Sequence, residues 1–186
     1  MLIAVAMSPF LSCNSCSEDG NKGVSPPWPV TDVYAWAEWS PDGSQIAVCW
    51  GGIPTAHNRG LYLIDTAGWV TRSILIDNAS NFSSISWSPT GKWLLFAKNA
   101  QIYKIKPNGD NLTQLTFTSR QWDCDWSDSD TLIVYRISIG DSSGMWVMRE
   151  DGSQKRSLVR HGSYPAFARD DSILDCTPEV GHKKLG

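Results

Sequence analysis

Trp39-Ser40-Pro41-Asp42-Gly43 returns as Trp87-Ser88-Pro89-Thr90-Gly91, then in altered form as Trp126-Ser127-Asp128-Ser129-Asp130 and Phe167-Ala168-Arg169-Asp170-Asp171. The anchors Trp39, Trp87, Trp126 and Phe167 are spaced 48, 39 and 41 residues apart, near the roughly 40 to 45 residues of one four-stranded propeller blade. A second element sits at a fixed place in three of the units: Gly60-Leu61-Tyr62-Leu63-Ile64, Gln101-Ile102-Tyr103-Lys104-Ile105 and Gly144-Met145-Trp146-Val147-Met148. A Gly-bearing turn and an apolar run follow each one. Three features recurring in one order make the chain an array.

The repeat has a physical reading. In Ser40-Pro41-Asp42-Gly43 serine suits the first position of a type I turn, proline presets the second, and glycine suits the fourth. The chain must reverse there, which buries the anchor aromatic beside the turn. Before the turn lies the alternating Ile85-Ser86-Trp87; after it runs Trp93-Leu94-Leu95-Phe96-Ala97, apolar without alternation, as expected of a strand covered on both faces. Asn108-Gly109 and Asp151-Gly152 are hairpin signals, since primed turns need positive φ. Each unit reads as strand, turn, strand, loop, strand, hairpin, strand. A lone sheet of this kind leaves apolar faces bare, and radial stacking covers them. The expected fold is all-β, a β-propeller of four-stranded blades.

The order W-S-P-D-G, apolar strand, aromatic-centred strand and D/N-G turn resembles the propeller repeat of TolB and its relatives, over roughly residues 33–176. Prolyl-oligopeptidase-type peptidases and pectin-degrading lyases resemble the same repeat, so it names a fold and not a function. The TolB resemblance implies a non-catalytic, envelope-anchored module that binds a protein. The alternative is a propeller segment of a larger peptidase or oligosaccharide lyase, or a carbohydrate-binding propeller.

The units span residues 33–76, 82–117, 122–160 and, in part, 164–186, about three and a half blades. Propellers close with four to eight, so the expectation is either an incomplete ring or a minimal four-bladed one completed by residues 24–30. Pro26, Pro27 and Pro29 weigh against the latter because proline tolerates only edge positions. Residues 1–13 are apolar and too short to span a bilayer, but suit a signal-peptide core. They end at Phe10-Leu11-Ser12-Cys13 and give way to a polar, Pro-rich linker over 14–32. The stretch resembles a lipoprotein signal, which implies lipidation of Cys13 and a location in the bacterial cell envelope.

A composition of 41% hydrophobic and 19% charged residues with net charge −3 gives no electrostatic footprint for nucleic acid. No P-loop or H-E-x-x-H motif is present. Neither a catalytic residue nor a cofactor is expected. His57 and His161 read as loop residues. Asp123 and Asp125 flank Cys124 and could hold Ca²⁺, yet such a site needs six to eight oxygens. Trp28, Trp36 and Trp50 could stack a sugar, though blade packing explains them as well. Cys13 and Cys16 have metal spacing without a second pair. The longest excursion, residues 50–60, carries Gly52, His57, Asn58 and Arg59 and is expected to contribute to a protein-partner surface.

Overall fold

The computed structural model describes residues 35–50, 58–118, 120–160, 165–168, 172–175 and 183–185. Blade 1 comprises β1 (Ala35–Trp39), β2 (Gln45–Trp50), β3 (Gly60–Asp65) and β4 (Val70–Ile76). Blade 2 comprises β5 (Phe82–Trp87), β6 (Leu94–Lys98), β7 (Gln101–Ile105) and β8 (Thr113–Gln114). Blade 3 comprises β9 (Gln121–Trp126), β10 (Leu132–Ile137), β11 (Gly144–Arg149) and β12 (Arg156–Arg160). A fourth sheet holds β13 (Pro165–Phe167), β14 (Ile173–Asp175) and β15 (Lys183–Leu185). Every sheet is antiparallel with its strands in sequential order, the meander expected of a blade. The first strands pack on one another, β1 on β5, β5 on β9 and β9 on β13, and so form the inner layer.

The turn that opens each blade is held by its serine. Ser40 Oγ accepts the Gln45 amide at 3.0 Å, Ser88 Oγ that of Trp93 at 3.1 Å, and Ser127 Oγ that of Leu132 at 3.0 Å. The turn is closed by a fourth residue at positive φ that donates back to the serine carbonyl: Gly43, Gly91 and, in blade 3, Asp130. Aspartate tolerates the left-handed region better than most residues, so the altered motif keeps the turn that its sequence obscures. The later hairpins differ from expectation. Gly68, Gly109 and Gly152 occupy the fourth position, donating to Asp65, Lys106 and Arg149 carbonyls, with no positive φ at the two preceding residues. They are type I turns followed by a left-handed glycine and not primed turns, which need positive φ at a central position.

Leu94 and Phe96 point into a core shared with blade 1 (Cys49, Leu61, Leu63, Ile85, Trp87), whereas Leu95 and Ala97 point into one shared with blade 3 (Cys124, Trp126, Ile133, Tyr135). The run without alternation is therefore a strand covered on both faces. The anchors are less equivalent than the repeat suggests. Trp87 and Trp126 are 7% and 3% exposed, but Trp39 is 37% exposed, because no blade precedes blade 1 among the described residues. On that face its sheet gathers only the small separate cluster of Ala37, Ile46 and Ile64.

Blade 2 departs from the pattern at its outer edge. The apolar run 112–117 forms a fourth strand of two residues, against seven in β4 and five in β12. Beyond Gln114 the Leu115 amide still donates to the Ile102 carbonyl at 2.9 Å, but the Ile102 amide is taken by Thr116 Oγ1 at 2.8 Å in place of a backbone carbonyl.

Candidate functional site

Asp123 and Asp125, which flank Cys124 in β9, stand in a row of polar groups along the inner strands. The row begins with two β-bulges at equivalent positions, three residues before the anchor tryptophan. Ser84 has φ 54° and Asp123 φ 45°, and the ladders of β5 and β9 slip there. The first bulge turns the Ser84 side chain toward the next blade. Ser84 Oγ accepts the Cys124 amide of the next blade at 3.1 Å. The corresponding position in the fourth sheet is Pro165, which has no amide to offer. Asp123 pairs with Arg136 at 3.3 Å instead.

The residue just before the anchor is Glu38 in β1, Ser86 in β5 and Asp125 in β9. Glu38 Oε2 accepts the Trp87 amide at 2.8 Å, and the Trp87 indole N–H reaches the Glu38 carbonyl at 3.2 Å. Asp125 Oδ2 accepts the Phe167 amide at 2.9 Å, while its Oδ1 accepts from Ser86 Oγ at 2.9 Å and from the Trp126 amide at 2.9 Å. A carboxylate on one blade thus clasps the anchor amide of the next at two junctions. Burial pushes the Glu38 carboxyl up to about 8, with the charge of Asp125 adding to it. Burial also raises Asp125, against the hydrogen bonds from Phe167, Ser86 and Trp126, and it raises Asp123 against the pull of Arg136. Perturbed carboxyls mark catalytic sites but equally mark structural networks. Here both Asp125 oxygens are occupied by main-chain and serine donors, which assigns the row to blade joining. Two further ties join blades 2 and 3: Thr90 Oγ1 to Asp130 Oδ2 at 2.7 Å, and the buried Lys104 ammonium to Glu150 at 3.0 Å.

A second feature faces outward. Between residues 116–118, which follow β8, and blade 3 lies a groove of about 750 Å³. Its floor includes Gln121 and Tyr135, its walls Trp146 and Ile139, and its rim Phe117 and Lys155. Phe117 is 78% exposed and Ile139 44%. The Trp146 ring is fixed by its indole N–H, which donates to the Ser142 carbonyl at 3.0 Å. Burial pushes the Tyr135 phenol up to about 12, so it stays protonated.

The sequence-predicted residues divide. Trp87, Trp126 and Phe167 stand at the joints just described, with Trp39 at the open end. Of the predicted partner loop, Gly52 and His57 lie outside the described residues. Asn58 and Arg59 are tied to the turn after blade 1, through Asn78 Nδ2 to Asn58 Oδ1 at 2.8 Å and the Arg59 amide to Asn78 Oδ1 at 2.8 Å. Cys13, Cys16, Trp28, His161 and the segment 24–30 also lie outside. Trp36 packs on the core between blades 1 and 2. Cys49 and Cys124 are free, buried thiols raised by burial, which makes them inert. Among the described residues no group of three or more His, Cys, Asp or Glu is placed to hold a metal.

The groove itself was missed, although the sequence carries a signal for it. Gly60 and Gly144 open the third strands of blades 1 and 3, where a Cβ would lie 2.1 Å from the Leu75 carbonyl oxygen and 2.0 Å from that of Val159. Only glycine lets the fourth strand approach so closely. Blade 2 has Gln101 at that place, where the segment after β8 is held through Leu115 and the Thr116 side chain and not by a regular ladder.

No family model matches the sequence, and no curated protein matches it. Solved structures do. TolB from Acinetobacter baumannii superposes with a TM-score of 0.63 at 18% identity, over 82% of this chain and 40% of its own. A chain of a nidogen/laminin complex gives 0.64 at 11% identity over 75% and 54%. An oligogalacturonate lyase in complex with manganese gives 0.59 at 19% identity over 76% and 44%. At these identities the likeness shows the fold, and the fold is a TolB-like β-propeller. The chain spans about 40% of the length of the TolB it matches.

Proposed function

We propose that the chain is a non-catalytic binding propeller, held at the bacterial cell envelope through a lipid on Cys13 and recognising a protein partner. One observation carries the reading: the inner-strand carboxylates serve as blade joints, while the open chemistry lies in an outward groove rimmed by exposed apolar side chains. Contiguous exposed apolar surface of this kind marks interaction sites. The TolB resemblance of the repeat supports the same reading. Gly52, His57, Asn58 and Arg59 would supply a second contact to the partner. Multiple acyl chains on Cys13 would give stable anchoring, which one chain alone does not.

Two assays test this. Radiolabelled palmitate should label the wild type and spare Cys13→Ser; equal labelling of both removes the anchor. The purified chain should capture a defined protein from cross-linked envelope extract and show no turnover of oligogalacturonate or of peptide substrates. Measurable lyase or peptidase activity in the pure chain would replace the binding reading with an enzymatic one.

A further inference from the structure

Gln121 is hard to explain as a packing residue. It opens β9 at 2% exposure, its Nε2 donates to Thr118 Oγ1 at 2.6 Å, and its Oε1 is buried with no hydrogen-bond partner among the described residues. Buried polar groups are nearly always paired, because an unpaired one weakens the fold. An apolar residue of similar length would avoid that cost. Gln121 lines the groove between blades 2 and 3 together with the buried Tyr135. Around this polar floor stand the Trp146 ring, Ile139 and Phe117, with Lys155, whose ammonium donates to the Gly152 carbonyl, on the rim and no carboxylate among the described lining residues. The groove's volume falls within the range of sites that enclose a ligand group.

We propose that this groove seats an aromatic anchor of the protein partner, a tyrosine or tryptophan whose ring packs between Trp146, Ile139 and Phe117 and whose polar tip donates to the Gln121 oxygen, with an acidic residue beside it facing Lys155. The inference rests on the protein-binding reading above. Apolar walls select a ring, the unpaired acceptor selects one that carries a donor, and the Lys155 ammonium, held by a neutral carbonyl with no carboxylate among the described lining residues, selects an acidic neighbour. Tyrosine and tryptophan are the side chains that combine a large apolar body with a hydrogen-bonding tip, and they dominate interface hot spots. Phenylalanine would fill the space and leave Gln121 unpaired.

The test pans a phage-displayed peptide library against the full chain and measures the selected peptides by titration calorimetry. The expected peptides carry Tyr or Trp next to Asp or Glu. Affinity should fall roughly tenfold, the equivalent of one hot-spot contact, in Phe117→Ala and in Gln121→Met, and stay unchanged in Trp69→Ala, which alters an exposed aromatic on blade 1. Replacing the peptide tyrosine by phenylalanine should weaken binding to the wild type but not further weaken it to Gln121→Met. Thermal unfolding of Gln121→Met should be no lower than wild type, which separates a binding role from a structural one. The proposal is overturned if no peptide is enriched, if the enriched peptides lack Tyr and Trp, or if binding ignores Phe117→Ala and Gln121→Met. Saturable oligogalacturonate binding that those variants abolish would also overturn it in favour of a saccharide site. If envelope capture of a protein persists in both variants, the groove is excluded and the protein-binding reading stands; if the wild type captures nothing, the reading itself fails.

Discussion

Trp39 and Trp87 are the same residue in the sequence repeat and different residues in the molecule. Trp87 is enclosed by blade 1 and donates both its amide and its indole N–H to Glu38, while Trp39 is left 37% exposed at the open flank. Trp87→Ala should therefore cost about 3–5 kcal/mol, the usual loss for a buried tryptophan, and Trp39→Ala distinctly less. Urea unfolding of the two variants measures the difference; equal losses would mean that the Trp39 side is covered as fully as the Trp87 side. Equivalence of sequence was legible here and equivalence of environment was not, because exposure depends on the neighbour a blade has and not on the blade's own residues. The buried turn serines belong to the legible part. Ser40, Ser88 and Ser127 follow the anchors directly, and each closes its turn on the amide five residues later.

At the scale of the element, the inner strands gain their cohesion from carboxyls whose role sequence reasoning could not assign. Asp123 and Asp125 stood out as a pair, yet what separates them is a bulge that turns one toward Arg136 and the other toward Phe167. Glu38 drew no notice because its partner is 49 residues away. Its carboxyl is raised from about 4.5 in the open chain to about 8 in the fold, so the folded form holds a proton that the unfolded form has lost. The resulting stabilisation is complete below pH 4.5 and disappears as pH rises through 8. Stability of the wild type should decline across that window. Glu38→Gln retains an acceptor for the Trp87 amide and removes the ionisation, so its decline should be shallower and the variant the more stable of the two above pH 8. Urea titrations between pH 5 and 9 check this; parallel curves would place the pH dependence elsewhere.

The third strands offer a complementary check on how the groove arises. Gly144→Ala sets a Cβ 2.0 Å from the Val159 carbonyl oxygen at φ 139°, and should lower the melting temperature by several degrees, as expected for a loss of 1 kcal/mol or more. Gln101→Ala, at the same place in blade 2, should leave it nearly unchanged. The apolar run 112–117 had suggested a full fourth strand, and the contrast between these two positions is what corrects it.

Across the whole molecule, the periodicity and turn chemistry were enough to read the blades and their order, since each follows from residues close in sequence. The groove lies beside a fourth strand of two residues, and its lining comes from positions apart in the chain, Phe117, Gln121 and Trp146 among them. That arrangement gives a propeller whose inner carboxyls join blades and whose outward surface is free to recognise. The most direct test incorporates a photoreactive phenylalanine analogue at position 117, 139 or 69 in the full chain and irradiates the expressing cells. Positions 117 and 139 should each give the same discrete adduct with one envelope protein, and position 69, an equally apolar site on blade 1, should give none. An absence of adducts from 117 and 139, or the same adducts from all three, would contradict the account.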